Sequence, residues 1–210
     1  MNTEVVPESD VKPPSRRDWL ALAVLSIGLG LIVLDGTIVG VALPDIIADL
    51  SLECAEAQWV NSLYAVVLAA LLLSTGKLAD AVGRKRLFVA GLAVFMGGSV
   101  LAAMSEGASM LIAARAVQAL GAAMIMPGTL STITATFPEE QRPRGVAVWS
   151  GFASAGAILG LVGAGAMLEV WSWRSIFYVS AAMAVGTVIR NVACHRSISF
   201  QKLSNTPSPR

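Results

Sequence analysis

Two side chains in this sequence could do chemistry that their surroundings make costly: Asp35 and Arg115. Each is a lone charge inside a long apolar run, Asp35 within Trp19 to Leu43 and Arg115 within Ser109 to Phe137. A charge near the middle of a membrane-spanning helix costs about 2.5 to 3.5 kcal/mol on insertion scales, and such residues mark substrate or proton paths by default. Asp35 lies nine residues before Pro44, and Arg115 nine residues after Glu106. At 1.5 Å per residue both sit about 13 Å from the same membrane boundary. They are therefore at matching depth and of opposite charge. Gln118, three residues on from Arg115, shares its helix face and extends the polar stripe. Asp35, Arg115 and Gln118 are the candidate substrate or proton pathway. The bland alternative is a polar clasp between two helices, worth about 1 kcal/mol in a membrane interior, and the two roles can coexist.

The elements that hold these residues are membrane spans. In 210 residues, 55% are apolar and 14% charged, against roughly 25% charged in soluble domains, and mean hydropathy is +0.70. At about 20 apolar residues per span the length accommodates six helices. Residues 1–18, with three prolines and no hydrophobic periodicity, read as a disordered cytoplasmic tail. The six-span domain covers 19–189. Its spans run about Trp19 to Leu43, closed by Pro44; Gln58 to Thr75; Leu87 to Met104; Ser109 to Phe137, interrupted by Pro127; Gly145 to Leu168; and Ser175 to Ile189.

The connections alternate in charge. The first, Pro44 to Ala57, holds Asp45, Asp49, Glu53 and Glu56 without Lys or Arg, whereas Gly76 to Arg86 holds Lys77, Arg84, Lys85 and Arg86 and reads as a basic cytoplasmic loop. Of the fifteen Lys and Arg, all but Arg115 and Arg174 fall on the cytoplasmic side of this threading. That bias orients the chain with both termini in the cytoplasm. Trp171 and Trp173 mark the turn before the sixth span as interfacial.

Cys54 and Cys194 fall on opposite sides of the membrane and are not expected to pair, and the lone His195 has no ligand cluster around it, so neither zinc nor haem chemistry is supported. No nucleophile and base stand together, so the sequence does not read as an enzyme. The basic residues are sorted by membrane side rather than clustered for nucleic acid. In the fifth span Gly156, Gly160 and Ala164 put a small residue at every fourth position, a packing signal for close helix approach.

These residues resemble the major facilitator superfamily, and within it the fourteen-span drug:proton antiporters. Gly76, Asp80, Gly83, Arg84 and Lys85 match the superfamily's signature between spans two and three at its defining positions. The run Leu34-Asp35-Gly36-Thr37 to Pro44 looks like the first-span signature of these exporters, with Gly40 where Asn is usual. Leu111 to Gly121 resembles the fourth-span signature, with Ala119 in place of a Gly; the fifth-span signature has Leu161 in place of its proline and Ala164 in place of a glycine. The turn Trp171-Ser172-Trp173-Arg174 also fits, and the likeness covers residues 18–178.

The resemblance implies one half of a fold built from two such halves, itself made of two inverted three-helix repeats. By it, spans one and four line the cavity, Asp35 offers a negative site for substrate or proton, Arg115 tunes its protonation, and the Gly76 to Lys85 segment sets the conformational switch. It implies secondary active efflux of drugs or lipophilic cations from the cell membrane, with a proton gradient as energy source and no bound cofactor. Its partners are the bilayer, a small lipophilic or cationic substrate, and a separate second half or another copy of the chain. The rival expectations are a truncated, inactive product or a six-span subunit that must oligomerise. Residues 190–210 are polar and read as out-of-frame translation, with a native cytoplasmic tail as the alternative.

Overall fold

The computed structural model describes residues 15–204; the first fourteen and last six residues, which include most of the amino-terminal tail and the end of the carboxy-terminal one, lie outside the described residues, as do the side chains beyond Ile189. Among the described residues there are six α-helices, α1 Arg16–Leu50, α2 Cys54–Val82, α3 Arg84–Ala103, α4 Ala108–Thr136, α5 Arg142–Leu168 and α6 Arg174–Ser204, with a short 3-10 turn, Glu139–Gln141, before α5. The described residues contain no strand. Backbone groups in a bilayer must be satisfied within the segment, which helices alone achieve without a closed barrel. Helices α1 to α5 are each long and apolar enough to cross a membrane, and α6 has a shorter apolar stretch, Arg174–Ile189. The helix backbone of α6 runs on to Ser204, past the point where the apolar run ends and the sequence suggests a tail. The chain is a multi-pass membrane protein.

The packing has a symmetry that the chain order hides. Helix α1 lies along α5 as α2 lies along α4, α3 packs on α4 as α6 packs on α1, and α1·α4 and α3·α6 are pairs in their own right. Exchanging α1 with α4, α2 with α5 and α3 with α6 interchanges the members of the first two comparisons and maps α1·α4 and α3·α6 each onto itself. That is the relation between two inverted repeats of three helices. Its consequence is that α1 and α4 cross at the pseudo-two-fold axis.

Glycines set how closely the helices approach, as expected where lipid tails compete with apolar side chains for contacts. In α5, Gly156 faces Gly30 of α1 so closely that a Cβ there would overlap the Gly30 carbonyl, and a Cβ at Gly160 would sit 2.9 Å from the Leu34 oxygen. Ala164 is fully buried. Between α3 and α4 the same part is played by Gly91, Gly98 and Gly121, where a Cβ on Gly121 would meet the Phe95 nitrogen at 2.5 Å. Three apolar clusters fill the rest among the described residues, one around Leu34, Ile38, Leu111 and Phe177, one around Phe88, Leu92, Phe95 and Ile125, and a smaller one of Leu22, Ile133 and Phe137.

Three local expectations are corrected. Pro44 does not close the first helix: α1 continues to Leu50. The proline removes one bond, to the Gly40 carbonyl, and the fully buried Ile46 holds the extension against the core. Pro127 does not interrupt α4 either. It frees the Ala123 carbonyl, and the Thr75 hydroxyl of α2 donates to that oxygen at 2.7 Å. The basic segment, finally, is not an extended loop. Helix α2 runs through Val82 and α3 starts at Arg84, so Gly83 alone, at φ 100° and ψ 126°, makes the reversal. Only glycine adopts that backbone without strain.

Candidate functional site

Asp35 of α1 and Arg115 of α4 meet at the crossing of the two symmetry-related helices. An Arg115 terminal nitrogen (Nη1) donates to Asp35 Oδ2 at 2.5 Å and to Gln118 Oε1 at 2.7 Å. Gln118 in turn donates through Nε2 to the other Asp35 oxygen at 3.2 Å and to the Ser99 hydroxyl of α3 at 2.7 Å. Ser99 closes the chain by donating to the Phe95 carbonyl at 2.9 Å. Both carboxylate oxygens are therefore held, one by a cation and one by an amide. Asp35, Gln118 and Ser99 are fully buried, and Arg115 is 1% exposed. Two opposite charges in such a place are tolerable only as a bonded pair, since removing one partner of a buried ion pair costs about 3 to 5 kcal/mol.

Two members of the cluster are absent from the sequence reading. Ser99 is one; Tyr64 of α2 is the other, its ring lying over the Arg115 guanidinium with 4.2 Å from the guanidinium carbon to the ring centre. Tyr64 is buried, and its hydroxyl and Arg115 Nε have no hydrogen-bond partner. Depth offers the signal for Tyr64: it lies six residues into its span, about 9 Å at the helical rise, near the level of Asp35 and Arg115.

Chemically the cluster is a buried carboxylate whose charge one guanidinium compensates, and its bonds join α1, α3 and α4. Beside it, the α1 face at Gly36 and Gly40 has open space around the backbone. No group of three or more His, Cys, Asp or Glu that could hold a metal stands together among the described residues.

The remaining singled-out residues lie elsewhere. Gly76, Asp80, Gly83, Arg84 and Lys85 form the basic end of the α2–α3 pair, where Arg84 reaches back one turn to Asp80 at 3.3 Å. Both side chains are exposed to a third or more, so the pair contributes at most about 1 kcal/mol. This end sits against α4, with the Gly128 position 3.7 Å from the Arg84 carbonyl. Gly156, Gly160 and Ala164 form the α1–α5 seam rather than part of the cluster. At the opposite, acidic end, Asp49 accepts from Trp173 Nε1 at 3.0 Å and from Arg174 at 2.7 Å, and Arg174 also donates to the Ser105 carbonyl at 3.1 Å. That clasp ties α1 to α6 and to the α3–α4 turn. Cys54 is an exposed free thiol at the same end.

Comparison with known proteins agrees with this architecture. The chain is 37% identical over 182 residues to the multidrug efflux pump LfrA of Mycolicibacterium smegmatis, which covers 86% of this chain and 36% of that protein. It is 37% identical over 169 residues to the methylenomycin A resistance protein of Bacillus subtilis, covering 80% of this chain and 36% of the relative. The methyl viologen resistance protein SmvA of Salmonella typhimurium is likewise 37% identical over 170 residues, 80% of this chain and 34% of that one. The chain thus spans about a third of the length of these relatives. In fold it is similar to a solved peptide transporter POT, an E310Q mutant in complex with sulfate, at a TM-score of 0.72 and 19% identity over 83% of this chain and 37% of that one. The profile of the Major Facilitator Superfamily matches residues 25–198, and the chain belongs to that superfamily.

Proposed function

We propose that this chain is the amino-terminal half of the membrane domain of a secondary transporter that exports drugs or lipophilic cations in exchange for protons. The observation that carries the reading is the buried Asp35–Arg115 pair with Gln118, an ion pair placed where two inverted repeats cross. Protonation of Asp35 in one conformation and release in the other would couple proton entry to rearrangement of α1 against α4. The named activities of LfrA, the methylenomycin A resistance protein and SmvA support a small, lipophilic or cationic substrate.

Because the chain spans a third of these relatives, the proposal includes a second half, supplied as a separate chain or by self-association. The basic end at Gly83 would face the cytoplasm and act in the conformational switch, and the acidic end would face outward from the cell membrane. No cofactor is invoked; the proton gradient supplies the energy.

The test is ethidium uptake into inverted vesicles carrying this half within a complete transporter, with an imposed pH gradient, acid inside. Asp35→Asn should abolish gradient-driven export while leaving the protein in the membrane. Export at wild-type rate across all gradients would remove the coupling role. Sidedness is tested separately in a Cys194→Ser background: a membrane-impermeant thiol reagent added to intact cells should label Cys54, and labelling only after lysis would reverse the orientation.

A further inference from the structure

The contacts of Arg115 divide between the edge and the face of its guanidinium. One edge nitrogen is spent on Asp35 and Gln118, whereas Nε, buried as well, has no hydrogen-bond acceptor. A buried donor without an acceptor needs another source of stabilisation. The face supplies it: the Tyr64 ring lies 4.2 Å from the guanidinium carbon, well inside the distance at which an aromatic quadrupole attracts a cation, in a place where water does not compete. The Tyr64 hydroxyl takes no part, since it too has no partner. The charged groups facing the ring are Asp35 from α1 and Arg115 from α4, with Gln118 of α4 bonded to both.

We infer that Tyr64 is a positioning residue for the exchange step, its ring holding the Arg115 guanidinium in register while Asp35 gives up its bond to Arg115 and takes a proton or a cationic ligand. The inference rests on the proposed role of Asp35. The edge contact weakens when the carboxylate is neutralised. The face contact does not involve Asp35 and persists, so Arg115 stays poised to re-form the pair when the proton leaves. Without the ring, Arg115 would lose its second anchor at that moment and return to Asp35 would become slow or misdirected. The aromatic face performs this task and the hydroxyl does not, which separates the variants.

The first arm of the test uses the 210-residue chain itself, labelled with 15N-arginine in lipid nanodiscs, with the Arg115 Nε–H signal assigned by its loss in Arg115→Lys. A ring current should shift that proton upfield in the wild type and in Tyr64→Phe. The shift should vanish in Tyr64→Leu and in Tyr64→Met, the second of which fills the ring's place with an unbranched chain. An unshifted wild-type signal overturns the inference without any variant. The second arm measures export against pH in the complete transporter. Tyr64→Leu should reduce gradient-driven export by about tenfold or more, the factor that corresponds to losing a desolvated cation–π contact, and should move the pH profile, with Tyr64→Phe restoring both. Loss in Tyr64→Phe equal to that in Tyr64→Leu, or a wild-type profile in Tyr64→Leu, overturns it. The failures are separable: Asp35→Asn with normal coupling removes the proton role of Asp35 even where the ring shift is seen, whereas an unshifted wild-type signal with coupling abolished in Asp35→Asn removes the role of Tyr64 alone.

Discussion

Replacing Gly98 by alanine adds one methyl group at the point where α3 presses on the buried cluster, and its neighbour Gly97 provides an internal control. An alanine Cβ at position 98 would stand 2.7 Å from both the backbone nitrogen and the Cγ of Gln118, and 3.1 Å from the Ala114 carbonyl. Carbon contacts are comfortable at about 3.5 to 4 Å, so α3 and α4 must separate by nearly 1 Å. Gln118 of α4 bonds Ser99 of α3 at 2.7 Å and Asp35 of α1 at 3.2 Å. A separation of that size between α3 and α4 takes the bond to Ser99 beyond the range of a hydrogen bond. Overpacking costs about 1 to 3 kcal/mol, and each lost bond adds about 1 kcal/mol, giving a total of about 2 to 4 kcal/mol. At Gly97 nothing lies within 4 Å of the added carbon, and alanine there gains up to about 1 kcal/mol of helix propensity. Reversible unfolding of the chain in mixed micelles, followed by circular dichroism, measures both. Equal stabilities for the Gly97→Ala and Gly98→Ala chains would refute the packing argument.

Two further substitutions probe the corrected elements. Thr75→Val removes the donor that serves the Ala123 carbonyl beside Pro127 and should cost about 1 to 3 kcal/mol, the penalty of an orphaned buried acceptor; Thr75→Ser, which keeps the hydroxyl, should recover most of it in the same unfolding assay. Gly83→Ala forces a side chain into a backbone at φ 100° and should cost about 1 to 3 kcal/mol, read as faster amide exchange at the adjoining ends of α2 and α3, with Asp80→Asn as a near-neutral comparison.

How far the fold and site could be read from the sequence depended on which signal each residue leaves. Apolar run length located the helices, because the bilayer fixes a minimum span, and the depth of Asp35 and Arg115 brought two residues 80 positions apart to one level. Gln118 followed from helical spacing. Ser99 left no such trace: one hydroxyl in an apolar span is ordinary, and only the close α3–α4 approach at Gly98 makes it a partner of Gln118. Tyr64 could have been found by applying the depth rule to uncharged polar residues. The two prolines misled for a shared reason. A proline forfeits a single backbone bond, and tertiary partners such as Thr75 and Ile46 hold the helix through it. In the basic segment, charge and glycine together suggested a loop, yet Lys, Arg and Asp are compatible with helix ends, and Gly83 alone supplies the reversal. Beyond the α1–α4 pair that the two charges announce, which helices pair was not legible, since small-residue spacing on α5 announces close approach without naming α1 as the partner.

Asp35 and Arg115 form one buried charge-compensated unit where the two repeats meet. A double-mutant cycle of Asp35→Asn, Arg115→Gln and the combined variant tests it directly, with unfolding free energy in mixed micelles as the readout. Each single change should cost about 3 to 5 kcal/mol by leaving a charge buried without its partner, and the combined variant should cost no more than either single. Additive losses in the combined variant would mean that the two side chains do not compensate each other, and would contradict the account.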